Sequence, residues 1–235
     1  MQKQLNNGIA TQPNVNVFRA GRKVFFSGEI SEDSIFELIR ILNEIEEEDD
    51  SNGNQGNVEN TMIDVLDAFE IKNDKLSKEE LNEIEKIGNE YRKNKEKPNS
   101  LDREPIHLYI STRGGDAYEC WGLIDTIRTM KTPVWGYTYK AMSAGFFILI
   151  ACDRRFMYQN GTLLYHQMQT GSVGSLQDII EDTEEAMRMQ YLVEDLTLDC
   201  TNIPEERLNE IREKKIDWYI DSQTALELGI VDEII

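Results

Sequence analysis

The sequence predicts an α/β protein in which strands and helices alternate around a mainly parallel sheet with helical cover. Three observations lead to this class. From residue 105 onward, short apolar strands are followed by amphipathic helices, the order that produces parallel strands. Hydrophobic residues make up 40% of the 235-residue chain, which is enough for a sizeable core in one domain. No internal repeat divides the chain.

The N-terminal part is predicted to contain an arm, a strand, a helix and an insertion. Residues 1–21 are polar and without clear periodicity, which indicates an arm or flexible loop. KVFFSGEI (23–30) indicates a strand, and residues 31–48 an amphipathic helix with acidic residues in its first turn, where the helix dipole favours them. Residues 46–104 are interpreted as an acidic, partly helical insertion. Its first stretch, 46–60, is rich in Asn, Gly and acidic residues, and we expect it to be a loop or disordered.

The remaining elements are predicted in the order of a strand–helix protein. Strands are expected at 105–112 and 132–139, with two short strands in 154–168 joined by a tight turn at Asn160-Gly161. Helices are expected at 116–131, from Ser143 onward, at 176–200 and at 203–215. The chain then closes with a short helix, Gly229 as its stop, and a final strand.

Charge and composition exclude several classes of partner. A formal net charge of −19 argues against binding to nucleic acid or to anionic membranes, since both attract cations. No apolar run reaches the length of a membrane span, and the first 20 residues lack the apolar core of a signal peptide. Cys120, Cys152 and Cys200 are far apart in sequence, which is typical of reduced thiols. We therefore expect a soluble, cytoplasmic protein.

Ser143 stands between a small-residue turn and the apolar run AGFFILIAC, and two interpretations compete for it. Serine is a preferred helix N-cap, and taken alone this structural interpretation is favoured. The alternative is a nucleophile at the start of a helix. Serine is a poor nucleophile at neutral pH, so that role needs a base, an acid that orients the base, and donors for the oxyanion.

The sequence offers candidates for the base and for the oxyanion donors. Of its two histidines, His107 lies inside a predicted strand and is interpreted as structural. His166 ends a predicted strand, where sites of open α/β sheets gather, although a lone histidine is more often structural. The Gly114-Gly115 turn and the N–H of Ala144 are candidate donors, with an ordinary strand-to-helix turn as the alternative. Composition does not select the acid among 44 Asp and Glu residues.

From residue 105 to 232 the chain resembles the proteolytic subunit of the Clp protease, a serine peptidase of the Clp/crotonase fold. The resemblance rests on the order and spacing of STRGGDAY, YKAMSAGFFILIACDRR, NGTLLYHQ, a long helix and DWYIDSQTALELGIVDEI. RKVFFSGEISEDSIFELIRIL also resembles the family's first strand and helix. The resemblance implies one Clp-like domain over 1–235, with 1–21 as an axial loop and 176–200 as the protruding handle helix.

The resemblance also implies a catalytic site. Ser143 falls on the family's nucleophile, His166 on the base and Asp217 on the acid, while Gly114 and Ala144 fall on the backbone oxyanion donors. With all three triad side chains present, it implies an active serine endopeptidase that needs neither a metal nor an organic cofactor.

Three positions near this site depart from the family pattern. Arg113 stands where Pro usually precedes the Gly-Gly pair, Ala144 where Met follows the serine, and Met168 where Pro follows the His-Gln pair. The 46–104 insertion is also far longer than usual. Such divergence resembles the Clp-like proteases of large bacteriophages.

The resemblance further implies partners for this chain, and several alternative functions remain open. Relatives form rings of seven, often stacked in pairs through their handle helices, and degrade peptides or unfolded substrates that an ATP-dependent unfoldase delivers. One alternative is a phage head-maturation protease of the same fold, which often carries a similar GGD turn and needs no unfoldase. Others are an acyl-CoA-binding enzyme of the crotonase type and a noncatalytic ring scaffold. The joint presence of Ser143, His166 and Asp217 disfavours the last two.

Overall fold

The structure, a computed structural model, describes residues 17–53 and 103–235. The predictions for residues 1–16 and 54–102, which include most of the expected arm and insertion, lie outside the described residues. The described chain contains strands β1 Val17–Ala20, β2 Lys23–Ile30, β3 Ile106–Gly115, β4 Val134–Met142, β5 Arg154–Tyr165, β6 Trp218–Asp221 and β7 Glu233–Ile234. It also contains helices α1 Glu32–Gly53, α2 Ala117–Thr129, α3 Ala144–Ile150, α4 Leu176–Cys200, α5 Glu205–Lys214 and α6 Ser222–Glu227.

The strands form one mixed sheet in the order β1-β2-β3-β4-β5-β6, with β7 paired to β5. Neighbouring strands from β2 to β5 are parallel, while β1 and β6 run antiparallel at the two ends. The expected α/β class is therefore confirmed. Because β3, β4 and β5 are parallel, their carboxyl ends lie at the same edge of the sheet, where ligand sites of such sheets are found.

The core lies on one face of the sheet, and strand alternation explains why. In β3, Ile106, Leu108 and Ile110 are buried, while the residues between them are half-buried and lie on the other face. Helix α3 is buried along its whole length beneath the carboxyl ends of the strands. Burying an aromatic side chain such as that of Phe146 is worth about 2 kcal/mol or more, which fixes α3 against the sheet.

The other face of the sheet carries a row of aromatic side chains. Phe25, Tyr109, Tyr137 and Phe156 stack in turn across four strands, with ring centroids 4.7, 4.8 and 4.5 Å apart. His107 belongs to this row, because its Nδ1 lies 3.0 Å from the Tyr137 hydroxyl. Burial, together with neighbouring cations, lowers the pKa of His107. These contacts support a structural role for this histidine.

Helix α1 continues to Gly53, so the prediction of a loop from residue 46 was wrong over 46–53. The acidic residues of its last turns have cationic and main-chain partners on distant segments. Asp49 accepts from Arg22 at 2.7 Å, and Asp50 pairs with Arg103 at 2.5 Å. Glu46 accepts the main-chain N–H of Thr132 at 3.1 Å. These partners neutralise an acidic stretch that would otherwise repel itself.

We expect Asp49→Ala to lower the free energy of unfolding by about 1–2 kcal/mol at pH 7, because it removes the carboxylate that pairs with Arg22 and leaves the Thr132 hydroxyl without its acceptor. Burial would raise the pKa of Asp49, but hydrogen bonds from Arg22 and Thr132 outweigh it and hold this pKa below its ordinary value of 3.8. The stabilisation is therefore complete above about pH 4 and is lost as the pH falls below that value.

Denaturant unfolding of wild type and variant at pH 7 and pH 3, at equal protein concentration, measures this difference. Glu37→Ala is the control, because Glu37 pairs with Arg40 only along the exposed surface of the same helix. An unfolding curve for Asp49→Ala that matches wild type at pH 7 would contradict the role given to this ion pair.

Strand β5 is continuous from Arg154 to Tyr165, so the predicted pair of short strands with a turn at Asn160-Gly161 was wrong. The strand bulges there instead of reversing. Thr138 pairs with Met157 and Lys140 with Thr162, so extra residues of β5 are accommodated between the two pairs. Before the bulge β5 pairs with β7, and after it with β6.

Other boundaries agree or need smaller corrections. Helix α4 matches the predicted 176–200, and Ser175 and Asp178 form a capping box at its start. Asp116 caps α2, where its side chain accepts from the main-chain N–H groups of Tyr118 and Glu119. The prediction of an arm or flexible loop over 1–21 was wrong at residues 17–20, which form β1 beside β2. Strand β6 was not predicted either, because four-residue strands carry little pattern. Among the described helices, none combines the length and apolarity that a bilayer span requires.

Candidate active site

Ser143 connects β4 to α3 in a strained backbone conformation. Its φ is 54° and its ψ is −124°, values that a residue with a side chain adopts only when its surroundings impose them. Its N–H donates to the carbonyl of Leu164 on β5 at 2.9 Å, and its own carbonyl accepts from the Phe146 N–H at 2.9 Å. The side chain makes no capping hydrogen bond. The structure therefore does not support the N-cap interpretation.

Ser143 and His166 line the same pocket at the carboxyl edge of the sheet. The pocket has a volume of about 290 Å³. Apolar side chains from α2, α3 and α4 contribute to its wall, and the residues lining it are Arg113, Gly115, Ala117, Cys120, Trp121, Ser143, Ala144, Phe147, His166, Met168, Gln169 and Val193. Ser143 and His166 thus lie on the same side of the sheet, as the serine–histidine hypothesis requires.

His166 and Asp217 are brought together by strand register but not by a hydrogen bond. Tyr165 of β5 pairs with Trp218 of β6, so one further step in this antiparallel register puts His166 opposite Asp217. The Nδ1 atom of His166 instead lies 2.6 Å from the carbonyl oxygen of Gln167. Asp217 is exposed, and in the described ranges its carboxylate has no hydrogen bond or ion pair. Ser143 and His166 share a pocket, Asp217 is placed opposite His166 only by continuing the strand register, and the histidine–aspartate bond is not formed.

The two predicted oxyanion donors flank Ser143. Gly114 has a φ of +106°, and a Cβ at this position would lie 2.7 Å from the Cβ of Ser143. Its N–H donates to the Thr112 hydroxyl at 3.0 Å, so this donor is engaged. Ala144 is the first residue of α3, where a backbone N–H has no partner within the helix. The prediction of a turn at Gly114-Gly115 was wrong, because β3 continues to Gly115 beside Ile30 of β2.

Sequence reasoning missed two polar supports of the pocket. Cys120 donates from its thiol to the Ala144 carbonyl at 3.2 Å, and burial together with the charge of Asp116 raises the pKa of this thiol. The thiol is therefore protonated and holds α3 in place, and it is not a nucleophile. Gln190 of α4 accepts the main-chain N–H of Met168 at 2.8 Å. No local sequence pattern predicts either hydrogen bond, because each joins residues that are more than 20 positions apart in sequence.

Comparison with known proteins identifies the family of this chain. The family model described as "Clp protease" matches residues 98–235, and the chain belongs to the Clp protease family. Its sequence is 29% identical over 135 residues to the ATP-dependent Clp protease proteolytic subunit of Deinococcus radiodurans. It is 29% identical over 135 residues to proteolytic subunit 2 of Treponema pallidum, and 29% over 143 residues to the subunit of Dehalococcoides mccartyi.

The matched stretch covers 56% of this chain and 65% of the Deinococcus relative, 56% and 67% for Treponema, and 57% and 70% for Dehalococcoides. The chain thus spans about two thirds of the length of these curated relatives.

The solved structure of a mutant of ClpP1 from Listeria monocytogenes has the same fold. It superposes with a TM-score of 0.61, covering 92% of this chain and 91% of that chain, at 19% sequence identity. The Clp/crotonase-like fold expected from the sequence is therefore confirmed. The expected resemblance to Clp protease proteolytic subunits is confirmed as well.

Proposed function

We propose that this chain is a serine endopeptidase, the proteolytic subunit of a Clp-type compartmentalised protease. The observation that carries the proposal is the position of Ser143. This residue has a strained backbone between a strand and a helix, its hydroxyl makes no capping hydrogen bond, and it shares a pocket with His166. Membership of the Clp protease family supports the same chemistry. The substrates are peptides or unfolded chains.

The proposed reaction is amide hydrolysis through an acyl-enzyme. The Nε2 atom of His166 takes the proton of the Ser143 hydroxyl, and the serine oxygen attacks the carbonyl carbon of the scissile bond. The oxyanion is held by the N–H groups of Gly114 and Ala144. His166 then gives its proton to the leaving amine, which departs, and deprotonates a water molecule that hydrolyses the ester. In this mechanism Asp217 stabilises the imidazolium.

Two contacts change during this reaction. The Gly114 N–H leaves the Thr112 hydroxyl, and Asp217 approaches the imidazole of His166 as positive charge develops on it. Catalytic hydrogen bonds are often incomplete without substrate and tighten when it binds. We therefore interpret the described arrangement as a resting one, which substrate binding or assembly completes.

We also propose that the chain assembles into a ring of seven, or a double ring, through a handle helix. Helix α4 supports this, because part of its apolar surface is exposed in the single chain, at Leu176, Ile179, Ile180, Met187 and Tyr191. The matched relatives are named ATP-dependent. We accordingly propose an ATP-driven unfoldase as the partner and the cytoplasm as the compartment.

Labelling of the purified full-length protein with a fluorophosphonate probe, combined with its native mass, tests this function. We expect one probe per chain, attached at Ser143, and a mass of seven or fourteen chains. An unlabelled protein that nevertheless forms rings would indicate a scaffold and would contradict the proposed chemistry.

We expect this enzyme to prefer an acidic side chain close to the scissile bond. Arg113 and Lys140 border a second pocket of about 540 Å³, which Gly114 and Glu29 also border. Arg113 lines both pockets. Most cations of the described chain form ion pairs, but these two do not. A substrate carboxylate can therefore pair with them, and at a surface such an ion pair raises kcat/KM up to about fivefold.

Matched peptides that carry Glu or Gln at successive positions measure this preference. The quantity compared is the kcat/KM of the Glu peptide divided by that of the Gln peptide, determined at low and at high salt. The ratio should fall as salt rises and should approach one in the Arg113→Gln/Lys140→Gln variant. Lys215→Gln is the control, because this cation borders neither pocket. A Glu-to-Gln ratio that persists in the double variant would contradict the assignment.

A further inference from the structure

One peptide group connects His166 to helix α4. The carbonyl oxygen of Gln167 lies 2.6 Å from Nδ1 of His166. A carbonyl oxygen only accepts, so this contact requires the proton on Nδ1 and leaves Nε2 as the basic nitrogen. This is the tautomer that a general base for Ser143 needs, and in serine peptidases the triad carboxylate ordinarily selects it.

The N–H of the same peptide group, on Met168, is held by a buried polar side chain. It donates to Oε1 of Gln190 at 2.8 Å, and Gln190 is only 6% exposed. The other end of that amide is also fixed, because Nε2 of Gln190 donates to Oε1 of Glu194 at 2.7 Å. The amide of Gln190 therefore cannot rotate without breaking both contacts.

The far end of this chain of hydrogen bonds is an ion pair between two helices. Glu194, 8% exposed, accepts from Arg212 of α5 through its other carboxylate oxygen. Arg212 also donates to Asn209 at 2.6 Å and lies over the ring of Tyr191. Buried polar groups that are fully satisfied in this way fix one conformation. The orientation of the 167–168 peptide is thus tied to the packing of α4 against α5.

Residue 168 decides whether such a connection is available. Met168 has a backbone N–H, whereas a proline at this position would have none and could not donate to Gln190. The exposed pair Gln177–Glu181, on the same helix and at the same spacing, has a similar 2.8 Å hydrogen bond but no contact to the main chain. Of these two pairs on α4, the buried one reaches the histidine segment and the exposed one does not.

We infer that Gln190 is a positioning residue for His166, acting through the 167–168 peptide group. The carbonyl of that group holds the Nδ1–H tautomer and does part of the work that Asp217 would otherwise do alone. This inference rests on the proposed serine peptidase function. It predicts that the imidazole keeps the productive tautomer even when the carboxylate of Asp217 is replaced by an amide.

Magic-angle-spinning NMR of the full-length protein labelled with ¹⁵N-histidine reads this tautomer directly at pH 8. The chain has two histidines, and a His107→Asn variant assigns the signals of His166. We expect the Nδ1–H tautomer in wild type and in Asp217→Asn. In Gln190→Met and in Met168→Pro, each combined with Asp217→Asn, we expect a mixture in which the Nε2–H tautomer is prominent. Gln177→Met with Asp217→Asn is the matched control and should resemble Asp217→Asn alone.

The rate of Ser143 labelling by a fluorophosphonate gives a second reading. Losing the correct tautomer costs a triad about 10⁴-fold. We expect the labelling rate of Asp217→Asn to fall by less than about 10²-fold. In Asp217→Asn/Gln190→Met we expect it to fall by the full factor of about 10⁴. Melting temperatures of all variants separate unfolding from mispositioning.

Either of two results would overturn the inference. One is a folded Gln190→Met/Asp217→Asn protein whose His166 signals match those of Asp217→Asn. The other is an Asp217→Asn protein that already shows the Nε2–H tautomer while Gln190 is intact. The NMR measurement does not depend on activity, so an unreactive Ser143 would contradict the proposed function and still leave the role of Gln190 decided.

Discussion

Replacing Ser143 with alanine is expected to lower kcat/KM for peptide hydrolysis by about 10⁴-fold or more while the protein stays folded. The variant removes the only atom of this residue that takes part in the chemistry. The hydroxyl makes no capping hydrogen bond, and the main-chain bonds from Ser143 to Leu164 and Phe146 remain. Hydrolysis of a fluorogenic peptide by wild type and variant, at equal concentration and equal native mass, measures the loss.

Ser111→Ala is the matched control for this experiment. Ser111 lies on β3 and donates to the Tyr139 hydroxyl, and it does not line the pocket. We expect this variant to retain wild-type activity. Cleavage by purified Ser143→Ala at the wild-type rate would show that another group carries the reaction.

The sequence predicted the elements whose signals are local. Helix α4 was placed at its observed ends because its amphipathic pattern is long. The structure adds a capping box of Ser175 and Asp178 at its start. The last turns of α1 were missed because their stabilising partners are distant in sequence. Arg22 is 27 residues from Asp49, and Arg103 is 53 residues from Asp50. A run of acids with few apolar residues predicts a loop until those cations are known to be nearby.

The bulge in β5 was missed for a related reason. Asn160-Gly161 carries the signal of a tight turn, but that signal describes a local backbone preference and not the direction of the chain. Pairing with β4 on both sides of the bulge holds the strand straight enough to continue. Pattern reasoning identifies a break in regular pairing at these residues and cannot distinguish a reversal from a bulge.

Some residues of the candidate site could likewise be found from local sequence signals, and others could not. Ser143 and His166 were found by asking what a serine nucleophile needs, in a chain with only two histidines. Asp217 was selected only through the family resemblance, because nothing local distinguishes it among the acidic residues. Gln190 was not found at all. A Gln–Glu pair at this spacing looks like helix surface, and its partner is a main-chain N–H on another segment.

Gly114→Ala is expected to lower peptidase activity by about 10²-fold or more without removing any catalytic side chain. Residue 114 has a φ of +106°, which a residue with a Cβ adopts only under strain. The added carbon would lie 2.7 Å from the Cβ of Ser143 and 2.9 Å from the Met142 carbonyl, so the nucleophile or β3 must shift. The proposed oxyanion donor shifts with it, and losing one such donor costs about 10²–10³-fold in kcat.

Gly21→Ala separates this effect from backbone strain alone. Gly21 also has a positive φ, of +61°, but a Cβ there meets nothing within 4 Å. We expect it to lower stability slightly and to leave kcat unchanged. For Gly114→Ala the loss should appear mainly in kcat and in the rate of probe labelling at Ser143, because the contact is with the reacting residue and not with a distant part of the substrate. Wild-type kcat in a folded Gly114→Ala protein would mean that Gly114 is not close to the nucleophile during the reaction, and the oxyanion donor would then have to be sought elsewhere around the pocket.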